Sequence, residues 1–303
     1  MTSPATPLAR CAVEANFTAE TGWQGRNEFK EHCADVLGVK VEALDMPRAL
    51  DRIHEALADG SKGYVCMAGV HGVMEAQRSQ AVMCAFRDSF MNLPDGMPTV
   101  WVGRRQGFTG MSRVAGPDVM LEVFRNRRFA NYSHFFYGGK PGVAEQLAAN
   151  LKRRFPWVRI AGTYTPPFRD LNEQEGHELT AMVRHAKPSV IWVGISSPRQ
   201  ELFMHRYLPL LDTTLMFGVG AAFDFHTGRI RDCAGWIKRA GLQWLHRLMQ
   251  DPKHLLWRYA RNNPAFLWRI AVQLLREDAA RILSRHPERP STRDLKRQLR
   301  SGD

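Results

Sequence analysis

A turn that carries one carboxylate, Pro94-Asp95-Gly96, is the feature of this sequence from which chemistry is easiest to derive. Proline presets one backbone angle and glycine accepts angles that other residues avoid, so Asp95 is predicted to lie at a sharp corner. The turn stands directly before an apolar run, residues 97–102, which we expect to form a strand. A carboxylate at the edge of a sheet can serve as a general base for a hydroxyl substrate. The alternative is an aspartate that only caps its own turn.

Three further loops follow apolar runs and carry groups that could bind a phosphate or a nucleotide. Gly138-Gly139-Lys140 opens a predicted helix, where backbone N–H groups and a lysine favour an anion, although the spacing matches neither a P-loop nor a dinucleotide fingerprint. The loop that ends in Asp224 fits a tight structural turn as well as a ribose-binding carboxylate. Ser196 and Ser197 are predicted to cap a helix, and Gln200 behind them could direct its amide at a ligand.

Metal-dependent chemistry and nucleophilic hydrolysis have no support in the sequence. It contains no Asp-x-Asp pair, no cluster of histidine and cysteine, and no Gly-x-Ser-x-Gly elbow, so we expect neither a metal nor another cofactor. His71 and His226 fall near the expected site and are interpreted as structural. The five cysteines are scattered without a Cys-x-x-Cys pair, which indicates reduced thiols.

Apolar runs alternate with helical patterns through the middle of the chain. A short β-like segment near Val36 and an amphipathic helix with Ala49, Ile53 and Leu57 on one face come first. The six predicted strands that follow are residues 63–70, 98–102, 134–137, 159–163, 190–195 and 214–219. Continuous apolar runs separated by helices indicate an α/β fold, with a Rossmann-like parallel sheet covered by helices on both faces. Ligands bind such sheets at the carboxyl ends of the strands, so Asp95 and the three loops should share one edge.

Positive charge is concentrated at the end of the chain. The formal net charge of the 303 residues is +12, and residues 229–303 hold 17 Lys and Arg against 7 Asp and Glu. This distribution predicts a partner with negative charge, such as phosphate groups, acidic lipid or nucleic acid. We expect a flexible leader at residues 1–34, a Rossmann-like domain at 35–228, a basic helical appendage at 229–275 and a basic tail at 276–303.

The appendage also contains half of the tryptophans, each with Arg or Lys nearby. These are Trp236, Trp244, Trp257 and Trp268. Tryptophan beside cations on an amphipathic helix is typical of a membrane interface, and the alternative is a pair of helices packed on the main domain; both can hold at once. No apolar run of eighteen residues exists and the N-terminus lacks the apolar segment of a secretory signal, so a cytoplasmic location is expected.

The order of the motifs resembles the WecG/TagA/CpsF family of bacterial glycosyltransferases. After the segment near Val36 come LPDGMPTVWVGR, RVAGPD, FFYGGKPGVAEQL, GISSPRQE and the GVGAAFDFHTGRIRD stretch with the tryptophan-rich segment behind it. The resemblance extends from about residue 36 to residue 275 and leaves out only the leader and the tail.

The resemblance implies a Rossmann-like enzyme that moves a sugar, with inversion and without a metal, from a UDP-sugar donor to a polyprenyl-diphosphate-linked saccharide. Such an enzyme works on the inner face of the cell membrane, as a peripheral protein. The catalytic aspartate of the family corresponds to Asp95, and its uridine-diphosphate pocket corresponds to Gln200 and Asp224. The residues implied for the acceptor diphosphate are Arg239, Arg247 and Arg258. A homo-oligomer is possible.

One departure from the family pattern lies beside the predicted catalytic aspartate. Family members commonly carry Thr-x-Asn at the first corner, where this chain has Met67-Ala68-Gly69. A protein that binds a nucleotide sugar or a lipid diphosphate with impaired catalysis is therefore the second hypothesis. Nucleic-acid binding through the basic tail is a third, but the sequence contains no module typical of it.

Overall fold

The computed structural model describes residues 32–285, with side chains up to residue 282. Most of the predicted leader and the end of the basic tail, including Cys11, lie outside the described residues. Within them, a six-stranded parallel sheet with helices on both faces confirms the predicted α/β, Rossmann-like class. A small antiparallel hairpin precedes the sheet.

One or two helices separate successive strands of the sheet, and four more follow its last strand. The hairpin consists of β1 (Cys33–Val36) and β2 (Val39–Glu42), and the sheet of β3 (Gly63–Met67), β4 (Met91–Leu93), β5 (Ser133–Gly138), β6 (Arg159–Tyr164), β7 (Val190–Gly194) and β8 (Leu215–Gly218). The helices are α1 (Met46–Asp59), α2 (Val70–Ala76), α3 (Gln80–Arg87), α4 (Met97–Arg105), α5 (Gly116–Arg125), α6 (Val143–Arg154), α7 (Glu173–Ala186), α8 (Arg199–Tyr207), α9 (Ala222–His226), α10 (Gly235–Arg239), α11 (Gln243–Gln250) and α12 (Pro252–Arg285).

The order of strands in the sheet is β4-β3-β8-β7-β5-β6. Every neighbouring pair is parallel, so all carboxyl ends meet at one edge. We call this edge the carboxyl rim. Because neighbouring strands lie about 4.8 Å apart, the ends of β4 and β8 are separated by about 10 Å along the rim, and those of β4 and β5 by about 19 Å.

Two hydrophobic cores lie on opposite faces of the sheet. Helices α1, α5 and α6 cover one face, with Ile53, Phe124 and Leu147 among their buried residues. Helices α2, α3, α7 and α8 cover the other face, together with the hairpin and part of α12. The predicted face of α1 is confirmed, since Ala49, Ile53 and Leu57 are all buried. Burial on both faces explains why the strands read as continuous apolar runs.

One predicted strand is wrong. Residues 98–102 lie within helix α4, and the strand of this unit is β4, which comes before the Pro94-Asp95-Gly96 turn. Pro98 stands in the first turn of α4, where its fixed backbone angle and its missing N–H favour a helix start. Strand β4 has only three residues and offers too short a pattern to be found in the sequence. Asp95 therefore follows the carboxyl end of a strand, which places it on the rim.

The long helix α12 attaches the appendage to the main domain. Its buried residues Leu255, Asn262, Phe266 and Ile270 share one face, and the helix contacts α2. Further along, Gln273 donates to the backbone carbonyl of Asp35 and accepts from the N–H of Leu37. The helix is continuous through residue 275, where the boundary between appendage and tail was expected. Residues 276–285 thus belong to the same helix.

A buried histidine gives the fold a testable dependence on pH. The Nδ1 of His134 accepts a hydrogen bond from Trp192 Nε1 at 3.2 Å, and the ring lies edge-on to Phe124 at 4.7 Å between centroids. Burial lowers the pKa of His134 to about 3. The ordinary pKa of an unfolded histidine is about 6.5, so the stability contributed by neutral His134 is complete above that pH and is lost as the pH falls towards 3.

We therefore predict that the stability of His134→Gln approaches that of wild type in acid. The amide oxygen of glutamine can accept from Trp192, but the side chain does not titrate. The difference in free energy of unfolding between wild type and variant should narrow by roughly 1 kcal/mol per pH unit below pH 6.5. Urea unfolding of both proteins at pH 7.5, 6.5 and 5.5 measures it. Because other titrating groups are common to both proteins, they cancel in the difference. A gap independent of pH would contradict the prediction.

Candidate active site

Asp95 lies on the carboxyl rim, at the point where β4 turns into α4. Val114 N donates to Pro94 O at 2.9 Å and Thr99 Oγ1 donates to Gly96 O at 3.0 Å, so both flanks of the turn are held. Gly96 has φ of 138°, which explains the need for glycine there. No helix-capping hydrogen bond is made by a side chain at the start of α4. The position of Asp95 thus gives no support to a capping role on that helix.

The surroundings of Asp95 act on its protonation in opposite directions. Burial raises the pKa of Asp95, whereas the Arg113 guanidinium lowers it. Asp118 raises it further, and Arg247 and a hydrogen bond from the backbone N–H of Gly116 lower it. The carboxyl group is therefore partly withdrawn from water and at the same time faces two cations from different parts of the chain. This combination suits a group that must accept a proton at neutral pH.

Arg113 is a site residue that the sequence analysis did not single out. It forms an ion pair with Asp118, and Asp118 is also 3.6 Å from Lys238 Nζ on α10. Lys238 in turn pairs with Asp232. The chain of charges fixes Arg113 beside Asp95 and joins the rim to the appendage. Arg113 stands at the start of the RVAGPD motif, and this position was the signal that could have identified it. An arginine in a loop, however, has no local pattern from which its partner can be predicted.

The predicted acceptor arginines fall in different places. Arg247 on α11 acts electrostatically on Asp95 and stacks over the ring of Phe225 at 5.6 Å. Arg258 on α12 acts on His71, and its Nε is buried without a hydrogen-bond partner among the described residues. Arg239 is exposed at the end of α10. Of the three, only Arg247 is brought to Asp95 by a described interaction.

His71 fastens the appendage to the rim. Its Nε2 is 3.2 Å from Ser197 O and its Nδ1 is 3.0 Å from Asn262 Nδ2 on α12. Burial lowers the pKa of His71, and Arg258 lowers it further. His226 similarly contacts Pro117 O at 2.9 Å, and burial lowers its pKa. These contacts support the structural interpretation of both histidines.

The glycine loop at the end of β5 is tightly packed. A Cβ on Gly138 would lie 2.5 Å from Gly194 O, and the N–H of Gly139 donates to the same oxygen at 3.1 Å. The glycines are thus required by the close approach of the loops after β5 and β7, and the Gly139 N–H already has a partner. Lys140 is exposed beside them, about 19 Å along the rim from Asp95 by strand spacing, so the two cannot act on the same atom of a ligand.

Gln200 is almost completely buried, with 3% of its surface exposed. Its Nε2 donates to Gly218 O at 2.9 Å and to Glu201 Oε1 at 3.0 Å, and its Oε1 accepts from Gly220 N at 3.0 Å. Asp224 lies in the short helix just after this loop and is partly exposed. The predicted capping by serine is wrong, because α8 begins at Arg199 after Pro198 with no side-chain cap.

The first corner of the sheet, where this chain departs from the Thr-x-Asn pattern, leaves little room for larger side chains. A Cβ on Gly69 would lie 2.8 Å from the backbone oxygen of Asp95 and 3.5 Å from its Oδ2. An asparagine there would push directly on the Asp95 turn. Met67 is buried among the hydrophobic residues of one core, so a threonine in its place would leave unfilled volume.

Two open clefts elsewhere hold none of the predicted site residues. One lies between the hairpin and α12, around Gln77 and Gln273, and the other between α7 and α8, around His177 and Arg206. Among the described residues, no group of three or more His, Cys, Asp and Glu could hold a metal ion. In the same part of the chain, no helix has both the length and the apolar content to span a membrane.

The geometry defines an α/β protein with a partly buried carboxylate, flanking cations and a basic helical appendage at one sheet edge. The chain belongs to the glycosyl transferase WecG/TagA/CpsF family, which matches residues 34–280. Two relatives bear the name N-acetylglucosaminyldiphosphoundecaprenol N-acetyl-β-D-mannosaminyltransferase. The one from Bacillus subtilis (strain 168) is 29% identical over 169 residues, which are 56% of this chain and 62% of the relative. The one from Bacillus spizizenii is 26% identical over 210 residues, 69% of this chain and 79% of the relative.

The close approach of Gly69 to Asp95 predicts that even one methyl group disturbs the turn. Gly69→Ala should lower the free energy of unfolding by about 1–3 kcal/mol, because a backbone oxygen must move to admit the new Cβ. Gly110→Ala is the matched control, since a Cβ there meets nothing within 4 Å. Its effect should stay within about 0.5 kcal/mol. Guanidinium unfolding measures both variants, and equal stabilities would show that the approach is not close.

Proposed function

We propose that this protein is an inverting glycosyltransferase that moves a sugar from a UDP-sugar to a polyprenyl-diphosphate-linked saccharide. The observation that carries the proposal is the position of Asp95, on the carboxyl rim beside Arg113 and Arg247, in a chain of this family. The names of the two relatives suggest N-acetylmannosamine as the first sugar to test and an N-acetylglucosaminyl-diphosphate lipid as the first acceptor.

In the proposed reaction Asp95 is the general base. It takes the proton from the acceptor hydroxyl while the oxygen of that hydroxyl forms a bond to the anomeric carbon. The bond between this carbon and the diphosphate breaks on the opposite face, and UDP leaves with the electron pair. Burial raises the pKa of Asp95, and Arg113 and Arg247 oppose that rise; they thereby favour the ionised form, which the reaction requires before the proton can be accepted.

The negative charge that develops on UDP requires compensation. Arg113, Lys140 and the backbone N–H groups along the rim are the groups proposed to supply it, together with the Gly138-Gly139 loop. Asp224, partly exposed beyond the Gly218–Gly220 loop, is proposed to contact the uridine. Gln200 is proposed to support this pocket from below, because its amide is almost fully engaged with protein atoms.

The appendage is proposed to hold the acceptor diphosphate and the membrane surface. Arg247 acts on Asp95, and the exposed Arg239 and the partly exposed Arg258 are the other two arginines proposed to contact the acceptor diphosphate. Trp257 and Trp268 are 76% and 72% exposed on α12, on the side opposite the buried Phe266. Exposed tryptophans beside arginines suit the headgroup region of a bilayer. Helix packing on the main domain and membrane contact therefore use different sides of the same helix.

A binding protein without transfer activity is the second candidate function. The apolar corner Met67-Ala68-Gly69 favours it, because no side chain from this corner can help Asp95 to orient a hydroxyl. Such a protein would bind UDP but would release none from a nucleotide sugar. A homo-oligomer remains a prediction.

The function is tested by UDP release from a panel of UDP-sugars, with a lipid-diphosphate-linked N-acetylglucosamine acceptor, in the presence and absence of EDTA. Acceptor-dependent release from one donor, unaffected by EDTA, is the expected result. Asp95→Asn should fold normally and bind UDP, yet lose about 10²–10⁴-fold in turnover because the base is gone.

The matched control is Asp59→Asn, at the exposed end of α1, which should keep wild-type turnover. Full activity of Asp95→Asn would remove Asp95 from the role of base. UDP binding without release from any donor would support the binding protein instead.

Membrane contact predicts that Trp257→Ala/Trp268→Ala weakens binding to vesicles that contain anionic lipid. We expect a loss of about 10-fold or more, since two large exposed apolar side chains no longer enter the headgroup region. Vesicle sedimentation measures it, with Leu210→Ala as a control for an exposed apolar residue elsewhere, in the turn after α8. Unchanged sedimentation would contradict the proposal, and salt-sensitive binding to RNA or DNA would favour the nucleic-acid hypothesis.

A further inference from the structure

Glu201 is a completely buried carboxyl group with no task in the reaction described above. It is the third of three polar residues, Arg199-Gln200-Glu201, that open α8 behind the rim, and 0% of its surface is exposed. Burial raises the pKa of Glu201 to about 7. Hydrogen bonds from its own backbone N–H and from Gln200 lower the pKa, as does the nearby Ser197 hydroxyl, and the charge of Asp95 raises it. Desolvation of a carboxyl group at this depth opposes folding, so the contacts of Glu201 must offset that cost.

The hydrogen bonds of Gln200 indicate what Glu201 contributes to the structure. Both hydrogens of its Nε2 are used, one by Glu201 Oε1 and one by Gly218 O, and its Oε1 accepts from Gly220 N. If the amide were turned over, its oxygen would face the carbonyl of Gly218 and the carboxylate of Glu201. Three acceptor oxygens would then lie together without a hydrogen between them, and the N–H of Gly220 would face the NH₂ group of Gln200. Gly218 O and Gly220 N favour the same orientation, and Glu201 reinforces it by accepting the second hydrogen of the Gln200 amide.

This orientation determines the shape of the loop after β8. Gly218 ends the strand and Gly220 has φ of 54°, in the left-handed region. The Gln200 side chain holds both residues at once, so it closes the loop from beneath. Helix α9, which carries Asp224, begins two residues later. A displacement of this loop would move Asp224 and the adjoining part of the rim.

We propose that Glu201 is a positioning residue for the nucleotide part of the donor, which acts by locking the Gln200 amide against the Gly218–Gly220 loop. The inference rests on the proposed function, because the nucleotide it serves is the UDP of that reaction. Glu201 touches neither the donor nor the acceptor in this arrangement. Its effect on UDP is transmitted through Gln200 and the loop.

The second oxygen of Glu201 makes a conservative test possible. Neither Glu201 Oε2 nor Ser197 Oγ has a hydrogen-bond partner among the described residues, although Ser197 lies close enough to lower the pKa of Glu201. In Glu201→Gln the amide oxygen can still accept from Gln200, and the new NH₂ group can take the place of Oε2 beside Ser197. The hydrogen bond between residue 201 and Gln200 should therefore be kept when the negative charge is lost.

The test is a double-mutant cycle read by the affinity for UDP. Glu201→Leu and Gln200→Leu remove the two ends of the hydrogen bond while keeping similar volume, and each should weaken UDP binding roughly 5- to 10-fold. The double variant should be no weaker than the weaker single variant, because both substitutions release the same loop. Glu201→Gln should stay within about threefold of wild type. In the transfer assay the donor KM should rise, with the acceptor KM unchanged.

The proposal would be overturned if Glu201→Leu bound UDP as tightly as wild type. It would also be overturned if the fold losses in UDP affinity of the two single variants multiplied in the double variant. A Glu201→Gln variant as weak as Glu201→Leu would overturn it too, since the charge and not the hydrogen bond would then matter. If the leucine variant does not fold, Glu201→Asp replaces it: the acid is kept but is withdrawn from Gln200, and unchanged UDP affinity would overturn the proposal. Because UDP binding is measured directly, an inactive wild type would defeat the proposed function without deciding this one.

Discussion

A carboxylate that is partly withdrawn from water must be compensated by its neighbours, and the carboxyl rim of this protein is arranged around that requirement. Burial raises the pKa of Asp95, and the groups that lower it come from three segments: Arg113 and Gly116 from the loop and helix after α4, and Arg247 from the appendage. None of these segments is close to Asp95 by local folding alone. The ionised form of Asp95 thus depends on the tertiary structure as a whole.

The appendage is consequently part of the site and not an addition to it. Lys238 joins α10 to Asp118, and Asn262 joins α12 to His71. A Cβ on Gly241, between α10 and α11, would lie 2.6 Å from the ring of Trp101, so the appendage rests directly on the helix that follows Asp95. Loss of these contacts would remove the charge of Arg247 from the rim and leave Arg113 to oppose the effect of burial on the pKa of Asp95.

The parts of the fold that sequence reasoning reached are those with a local signal. The Pro94-Asp95-Gly96 turn and five of the six sheet strands were predicted correctly, because turn chemistry and apolar runs are read within a few residues. Strand β4 was missed because three residues show no period, and α4 was taken for a strand because its apolar run masked the helix-starting Pro98. Arg113 and Glu201 were missed for another reason. Their roles depend on contacts between distant segments, which no spacing in the sequence expresses.

Helix α12 presents its outward apolar residues as a line. Trp257, Trp268, Leu275 and Ile282 are all exposed, and the distance between the first and the last is about 37 Å at the usual rise per residue. A single anchor would let a protein rotate freely about the point of attachment. A line of anchors that lies flat on a surface removes one tilt, so the direction of α12 and the height of the carboxyl rim above that surface would be set together.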